Sequence, residues 1–206
     1  MRALLFGLSI TLISGCATTG ANLVSIGKQD LEAAPICCKT LATANAAKLP
    51  IGMTTVTIDK SAHAFDFGGN KAFFKLYELP PFTKTYSMVI TSTPNGNLVD
   101  LALFLPKVTL YDEQFKPTRH FDEKTLRNRG NSVERTVFIN PQNATEKYVA
   151  IYGSDLSSSI ERAYSMVTVT PVFSGPYMVN VYGGQDGKST IRSAPSGSFN
   201  LEVSLP

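Results

Sequence analysis

Apolar and polar side chains alternate with a period of two over much of the chain after Leu49. The most regular instance is Phe199-Asn200-Leu201-Glu202-Val203-Ser204, which predicts a strand with Phe199, Leu201 and Val203 buried and one wet face. The densest apolar stretch runs from Phe65 to Pro80. Phe65 and Phe67 share one face of a strand, Gly68-Gly69-Asn70 supplies a turn that tolerates positive φ, and Phe73, Tyr77 and Leu79 then alternate with Phe74, Leu76 and Glu78. Both faces of this second strand carry apolar groups, so it is expected between two layers.

Further strands are predicted at Thr54–Asp59, Tyr86–Ser92, Leu101–Leu105, Val108–Tyr111, Thr136–Ile139, Tyr148–Tyr152, Met166–Val172 and Tyr177–Tyr182. Pro106 predicts an edge strand or a bulge, because proline cannot donate to a ladder. Asp112–Ser132 is charged, contains Pro117 and Gly130, and reads as a long exposed connection; Gly183-Gly184-Gln185-Asp186-Gly187 reads as a hairpin turn. Asp155–Tyr164 reads as a short helix capped by Ser154 or Asp155. Many short strands separated by turn residues predict an all-β fold over residues 49–206. The expected architecture is an antiparallel β-sandwich, jelly-roll or Ig-like, with at most one short helix.

The N-terminus has a different pattern. Arg2 precedes an apolar run from Ala3 to Ile13, the arrangement of a secretory signal, and Ile13-Ser14-Gly15-Cys16 resembles the lipobox of bacterial lipoproteins. That resemblance implies a signal peptide over residues 1–15, cleavage before Cys16, and acylation of the Cys16 thiol and of the new amino terminus. Acyl chains contribute ~0.8 kcal/mol per buried methylene, so several of them anchor a domain to membrane lipid firmly. Ala17 stands where inner-membrane lipoproteins often carry Asp, so the expected location is the periplasmic face of the outer membrane. Residues 16–48 then form a lipid-anchored segment. Ala17–Ala34, rich in small and polar residues, is either a flexible tether or a segment docked on the domain through Leu23, Val24 and Ile26.

With Cys16 acylated, the adjacent pair Cys37-Cys38 remains in an oxidising compartment, either as an intramolecular vicinal disulfide or as thiols. A metal or redox site needs a third ligand or a lowered thiol pKa, and no histidine lies nearby. Hydrophobic residues make up 43% and charged residues 17% of the 206 residues, a globular balance, and the net charge of +3 is too small and scattered for nucleic acid. His63 and His120 read as a strand-side and a solvated-loop histidine. No Gly-x-Ser-x-Gly elbow places a nucleophile, the carboxylates are scattered, and no phosphate-binding loop occurs. The expectation is therefore a protein that is not an enzyme, with no catalytic residue, cofactor or metal. Tyr77, Tyr111, Tyr152 and Tyr182 either stack on sugar rings from an outer sheet face or pack in the core; the chain has no Trp.

Gly69-Asn70-Lys71-Ala72-Phe73-Phe74-Lys75-Leu76-Tyr77-Glu78-Leu79-Pro80, Pro106-Lys107-Val108-Thr109-Leu110-Tyr111-Asp112, Tyr148-Val149-Ala150-Ile151-Tyr152, and the closing Tyr182-Gly183-Gly184 with Ser196-Gly197-Ser198-Phe199-Asn200-Leu201 are similar to the maltose operon periplasmic protein family, MalM-like. The resemblance covers roughly residues 50–206. It implies an envelope protein associated with carbohydrate uptake, in particular of maltose and maltodextrin, without enzymatic activity, and it supplies no site residues. The expected function is that of an accessory or binding protein with a glycan partner. The alternative is a structural or assembly partner of another envelope protein, acting through exposed strand edges and the charged segment Asp112–Ser132; a hydrolase ranks third.

Overall fold

A computed structural model describes residues 19–97, 99–153 and 159–205. Cys16 and the leader lie outside the described residues. The chain forms one α-helix among them, α1 (Gly20–Ala33). The strands that follow are β1 (Ala47–Lys48), β2 (Gly52–Ile58), β3 (His63–Asp66), β4 (Lys71–Glu78), β5 (Tyr86–Ser92), β6 (Asn95–Gly96), β7 (Asp100–Leu103) and β8 (Pro106–Tyr111). They continue with β9 (Pro117–Phe121), β10 (Arg127–Arg129), β11 (Ser132–Ile139), β12 (Tyr148–Gly153), β13 (Ser159–Ser174), β14 (Tyr177–Ser193) and β15 (Gly197–Ser204).

Two sheets make the sandwich. The first has the order β1-β4-β12-β8-β9, with β3 also paired to β4; the second has the order β10-β11-β5-β15-β2. Pairing within them is antiparallel except for β1 with β4. Phe73, Val108, Leu110, Val149 and Ile151 from the first sheet pack on Val56, Ile58, Met88, Ile90, Val137, Leu201 and Val203 from the second. Each such side chain contributes roughly 1.5–3 kcal/mol when fully buried. On β15, Phe199, Leu201 and Val203 are buried while Asn200, Glu202 and Ser204 face solvent, the predicted alternation. Gly68 (φ 73°) and Gly69 (φ 93°) turn β3 into β4, where the Asp66 carboxylate accepts the Gly69 N–H at 2.5 Å.

The remaining strands form a separate sheet, β13-β14-β7-β6, dominated by a long antiparallel hairpin from Ser159 to Ser193. The predicted helix over Asp155–Tyr164 is corrected here. Ser159–Tyr164 belong to β13 and pair with Gly187–Arg192, while Ser154 and Asp155 lie outside the described residues. The expected turn at Gly183–Gly187 is likewise strand, paired opposite Tyr164–Thr168; the chain reverses at Gly175-Pro176, with Gly175 at φ 59°. Long-range pairing overrides the local turn preference of these glycines.

Pro106 is no edge marker. It opens β8, which runs between β12 and β9, and the first residue of a strand is a position where proline is tolerated. Leu101–Leu105 is split, since Asp100–Leu103 joins β14 in parallel before Phe104 crosses to the sandwich core. Asp112–Ser132 contains β9 and β10 instead of an open loop. Its order is explained by Arg135, which is buried and donates to Thr125 Oγ1 at 2.8 Å and to the Asp122 carbonyl.

Of the two readings of Ala17–Ala34, docking is what occurs from Gly20 onward. Thr19 Oγ1 caps α1 by accepting the Asn22 N–H at 3.2 Å, and Asp100 Oδ2 accepts the Ala21 N–H at 3.0 Å. Gly20, Val24, Gly27 and Leu31 form the buried stripe, Leu23 is half-buried and Ile26 is exposed. A Cβ on Gly20 would lie 2.3 Å from the Leu101 carbonyl carbon, so glycine permits helix and strand backbones to touch there.

Candidate aromatic ligand cleft

The outer face of the first sheet is also apolar. Ala72, Phe74 and Leu76 of β4, Tyr111 of β8, and Ala150 and Tyr152 of β12 form a second cluster, covered by Leu41 from the single turn Leu41–Thr43. The cover is partial. Beside it opens a cleft of about 590 Å³, walled by Phe65, Phe67, Tyr111, Phe115 and Tyr152, with Lys39, Asp66, Gln114 and His120 at its edges. Its size falls within the ordinary range for small-molecule sites.

Each ring is placed by an identifiable local cause. The glycine turn after Phe67 folds its ring flat on Tyr152, with centroids 3.7 Å apart and an interplanar angle of 1°. Phe65 meets Phe67 edge-on at 5.0 Å. Phe115 stands in the turn between β8 and β9, where the Asp112 carboxylate accepts the N–H groups of Gln114 (3.0 Å) and Lys116 (2.8 Å). This turn holds Phe115 at φ 59°, a left-handed conformation costing a bulky residue about 1–3 kcal/mol, and stacks its ring on Tyr148 at 4.2 Å.

One polar chain links the edge of the cleft to the sheet behind it. Thr109 Oγ1 lies 2.9 Å from His120 Nδ1 and 3.2 Å from the Tyr152 hydroxyl, a chain whose members can each donate or accept. Burial pushes the Tyr111 phenol up to about 12, assisted by neighbouring Tyr152, and burial raises the Tyr152 phenol as well. Both remain neutral hydrogen-bonding groups at ordinary pH. β9, which brings His120, is riveted to the sandwich beside the cleft. Arg119 Nε and Nη2 donate to Glu146 at 2.8 and 2.6 Å, Thr118 Oγ1 donates to the same carboxylate at 2.8 Å, and Arg119 Nη2 reaches the Phe138 carbonyl at 3.0 Å.

Of the four tyrosines singled out from sequence, the fold brings Tyr111 and Tyr152 together in this cleft. Tyr77 is in the inner core, and Tyr182 stands exposed on the hairpin. Sequence reasoning missed Phe65, Phe67 and Phe115 as site residues; His120 is solvent-exposed as expected, but on strand β9 and hydrogen-bonded to Thr109 instead of in a loop. The signal for the first two was the apolar alternate face of β3 and β4; nothing local marks Phe115. His63 is exposed on β3, its ring 6.4 Å from Phe74.

Cys37 and Cys38 are joined as a disulfide just before the segment Lys39–Ala42 that edges the cleft. The Cys37 N–H donates to the Ala64 carbonyl at 2.9 Å, and Ile36 bridges Ala64, so the pair is fastened to β3. Among the described residues no group of three or more His, Cys, Asp or Glu could hold a metal ion. No described helix is long and apolar enough to cross a membrane.

The arrangement can hold a ligand with flat apolar faces and hydroxyl edges, packed against the outer surfaces of the rings and hydrogen-bonded to the Thr109 chain through its exposed member, His120. No family model matches this protein, and no curated protein matches it significantly.

Proposed function

We propose that this chain is a lipid-anchored accessory binding protein of the bacterial envelope that holds a carbohydrate in the aromatic cleft. The observation that carries the proposal is the cleft itself: aromatic rings at the outer face of a sheet, open to solvent, beside a chain of hydroxyl and imidazole groups. Sugars present apolar C–H faces and hydroxyl edges, which aromatic rings and neutral hydrogen-bonding groups match. The anchor is Cys16, acylated in the lipobox-like Ile13-Ser14-Gly15-Cys16, which directs the domain to the periplasmic face of the outer membrane. The MalM-like resemblance supports maltodextrins as the first glycans to test.

Isothermal titration of the full chain carrying Cys16→Ser with maltose and longer maltodextrins tests the proposal. Saturable heat that Phe67→Ala abolishes is the expected result. Absence of heat with maltodextrins and with a wider glycan panel would end the carbohydrate reading. The second reading, a non-enzymatic assembly partner, is favoured by the exposed β13–β14 hairpin.

A further inference from the structure

The hairpin of β13 and β14 is anchored at its base and bare beyond it. Arg162 donates to Asn128 Oδ1 at 2.6 Å and to the Gly130 carbonyl, and Arg192 pairs with Asp100 at 3.0 Å. From Ala163 to Gln185 there is no charged side chain, yet Phe173, Tyr177 and Tyr182 are 72%, 73% and 70% exposed, and Val167, Met178 and Val179 are also exposed. The large apolar side chains divide between the two faces of the arm, each face exposing on the order of 500 Å², toward the upper end of the roughly 300–600 Å² of the largest apolar patch on an ordinary monomer.

The two edges of the arm differ. Ser174 and Tyr177 close a two-residue turn, so pairs alternate from there between those bonded across the hairpin and those whose backbone groups point away from it. Pro171, opposite Asn180, falls on an outward-pointing position, so the outer edge of β13 carries a residue with no N–H to offer. On β14 the even-numbered residues point outward. Thr190 demonstrates it by donating its N–H to the Val99 carbonyl at 2.9 Å. β7 covers β14 only over Thr190–Ser193, so the outward groups of Met178, Asn180, Tyr182 and Gly184 form an open ladder edge.

We propose that two copies of the chain associate through this edge, β14 against β14 in antiparallel register about a two-fold axis within Tyr177–Gln185. The product is a four-stranded sheet. Pairing inside the uncharged run keeps Asp186 and Lys188 from meeting their own copies across the ladder. Both outer edges of that sheet are then β13 strands blunted by Pro171, so the assembly stops at two copies. A bilayer is the poorer occupant, because an isolated hairpin would carry two unpaired backbone edges into hydrocarbon.

Sedimentation velocity on the full chain carrying Cys16→Ser tests the pairing. The expected species is twice the 22.3 kDa chain. Tyr182→Pro removes an outward N–H without touching a bond across the hairpin, and is expected to raise the dimer dissociation constant at least tenfold with an unchanged circular dichroism spectrum. Should that variant misfold, a single cysteine walked from Met178 to Gly184 provides the second measurement. An inter-chain disulfide at or beside one position, where the residue meets itself across the axis, supports the proposal. A monomeric chain at 100 µM (about the upper end of such measurements), a Tyr182→Pro protein as dimeric as its parent, no cross-link at any position, or a monomer that floats with phosphatidylethanolamine–phosphatidylglycerol vesicles through its arm would each overturn it.

Discussion

The Phe67 ring lies parallel to the Tyr152 ring at 3.7 Å, although Phe67 follows β3 and Tyr152 belongs to β12, two strands joined only through β4. This stack ties the glycine turn to the middle of the sheet and forms one wall of the cleft. Phe67→Ala removes both the ring and the wall. It is expected to lower stability by about 1–3 kcal/mol in urea titration and to abolish the glycan heat. Retention of full glycan affinity would remove Phe67 from the site.

Phe115 separates stability from binding in a different way. Its left-handed backbone is strained as phenylalanine and comfortable as glycine. Phe115→Gly is therefore expected to cost less stability than Phe67→Ala, because relief of strain offsets part of the lost stacking on Tyr148, while glycan affinity falls at least tenfold. Paired denaturant and calorimetric titrations check this.

Tyr86 is buried with a hydroxyl that finds no partner among the described residues. Burial, and the nearby Glu146 carboxylate, push its phenol up to about 12, and burial does the same to Tyr111. A phenol whose folded pKa lies above its unfolded value of 10 keeps its proton in the native state after the unfolded chain has released it. Its contribution is thus complete below pH 10 and is lost as pH rises to about 12. Stability should fall across this window. Tyr86→Phe combined with Tyr111→Phe should flatten the fall, and Tyr86→Phe alone should leave neutral-pH stability unchanged or raise it by up to about 1 kcal/mol.

The Glu146 carboxylate is only 1% exposed and Arg119, which clasps it, keeps 28%. Glu146→Ala removes the carboxylate from Arg119 and Thr118, leaving them only the Phe138 and Leu110 carbonyls, and is expected to cost about 2–3 kcal/mol. Glu146→Gln retains an acceptor and should cost roughly half as much. Because β9 carries His120, the alanine variant should also weaken glycan binding; thermal unfolding with and without glycan measures both.

For Cys37 and Cys38, intact mass of the exported protein is expected to show no alkylation without reductant and two alkylated thiols after reduction. Two thiols reacting without reductant would show that the ring is open in the mature protein. The same spectrum should carry the acyl mass on the Cys16 amino terminus, and Cys16→Ser should remove it.

Much of the fold was legible because period-two alternation is a local property. β15 needs only Phe199, Leu201 and Val203 to declare its buried face, and the double apolar face of β4 announces layers on both sides. Helix α1 was obscured because glycines occupy its contact stripe. Gly20 and Gly27 bring backbone against Leu101 and Pro195, and that close approach leaves no trace in hydrophobicity. β13 and β14 exceed their predicted lengths because each supplies the other's backbone partners through the glycine-rich run that alone would turn.

By itself the amino-acid sequence determined the all-β character, the inward side chains of the sandwich and the aromatic wealth of β3 and β4, since each depends on neighbours two residues apart. Only the tertiary structure decided that Tyr111 and Tyr152 share a cleft while Tyr77 is in the core and Tyr182 stands on a bare arm. Strand order and pairing register set those distances, and both are properties of residues far apart along the chain.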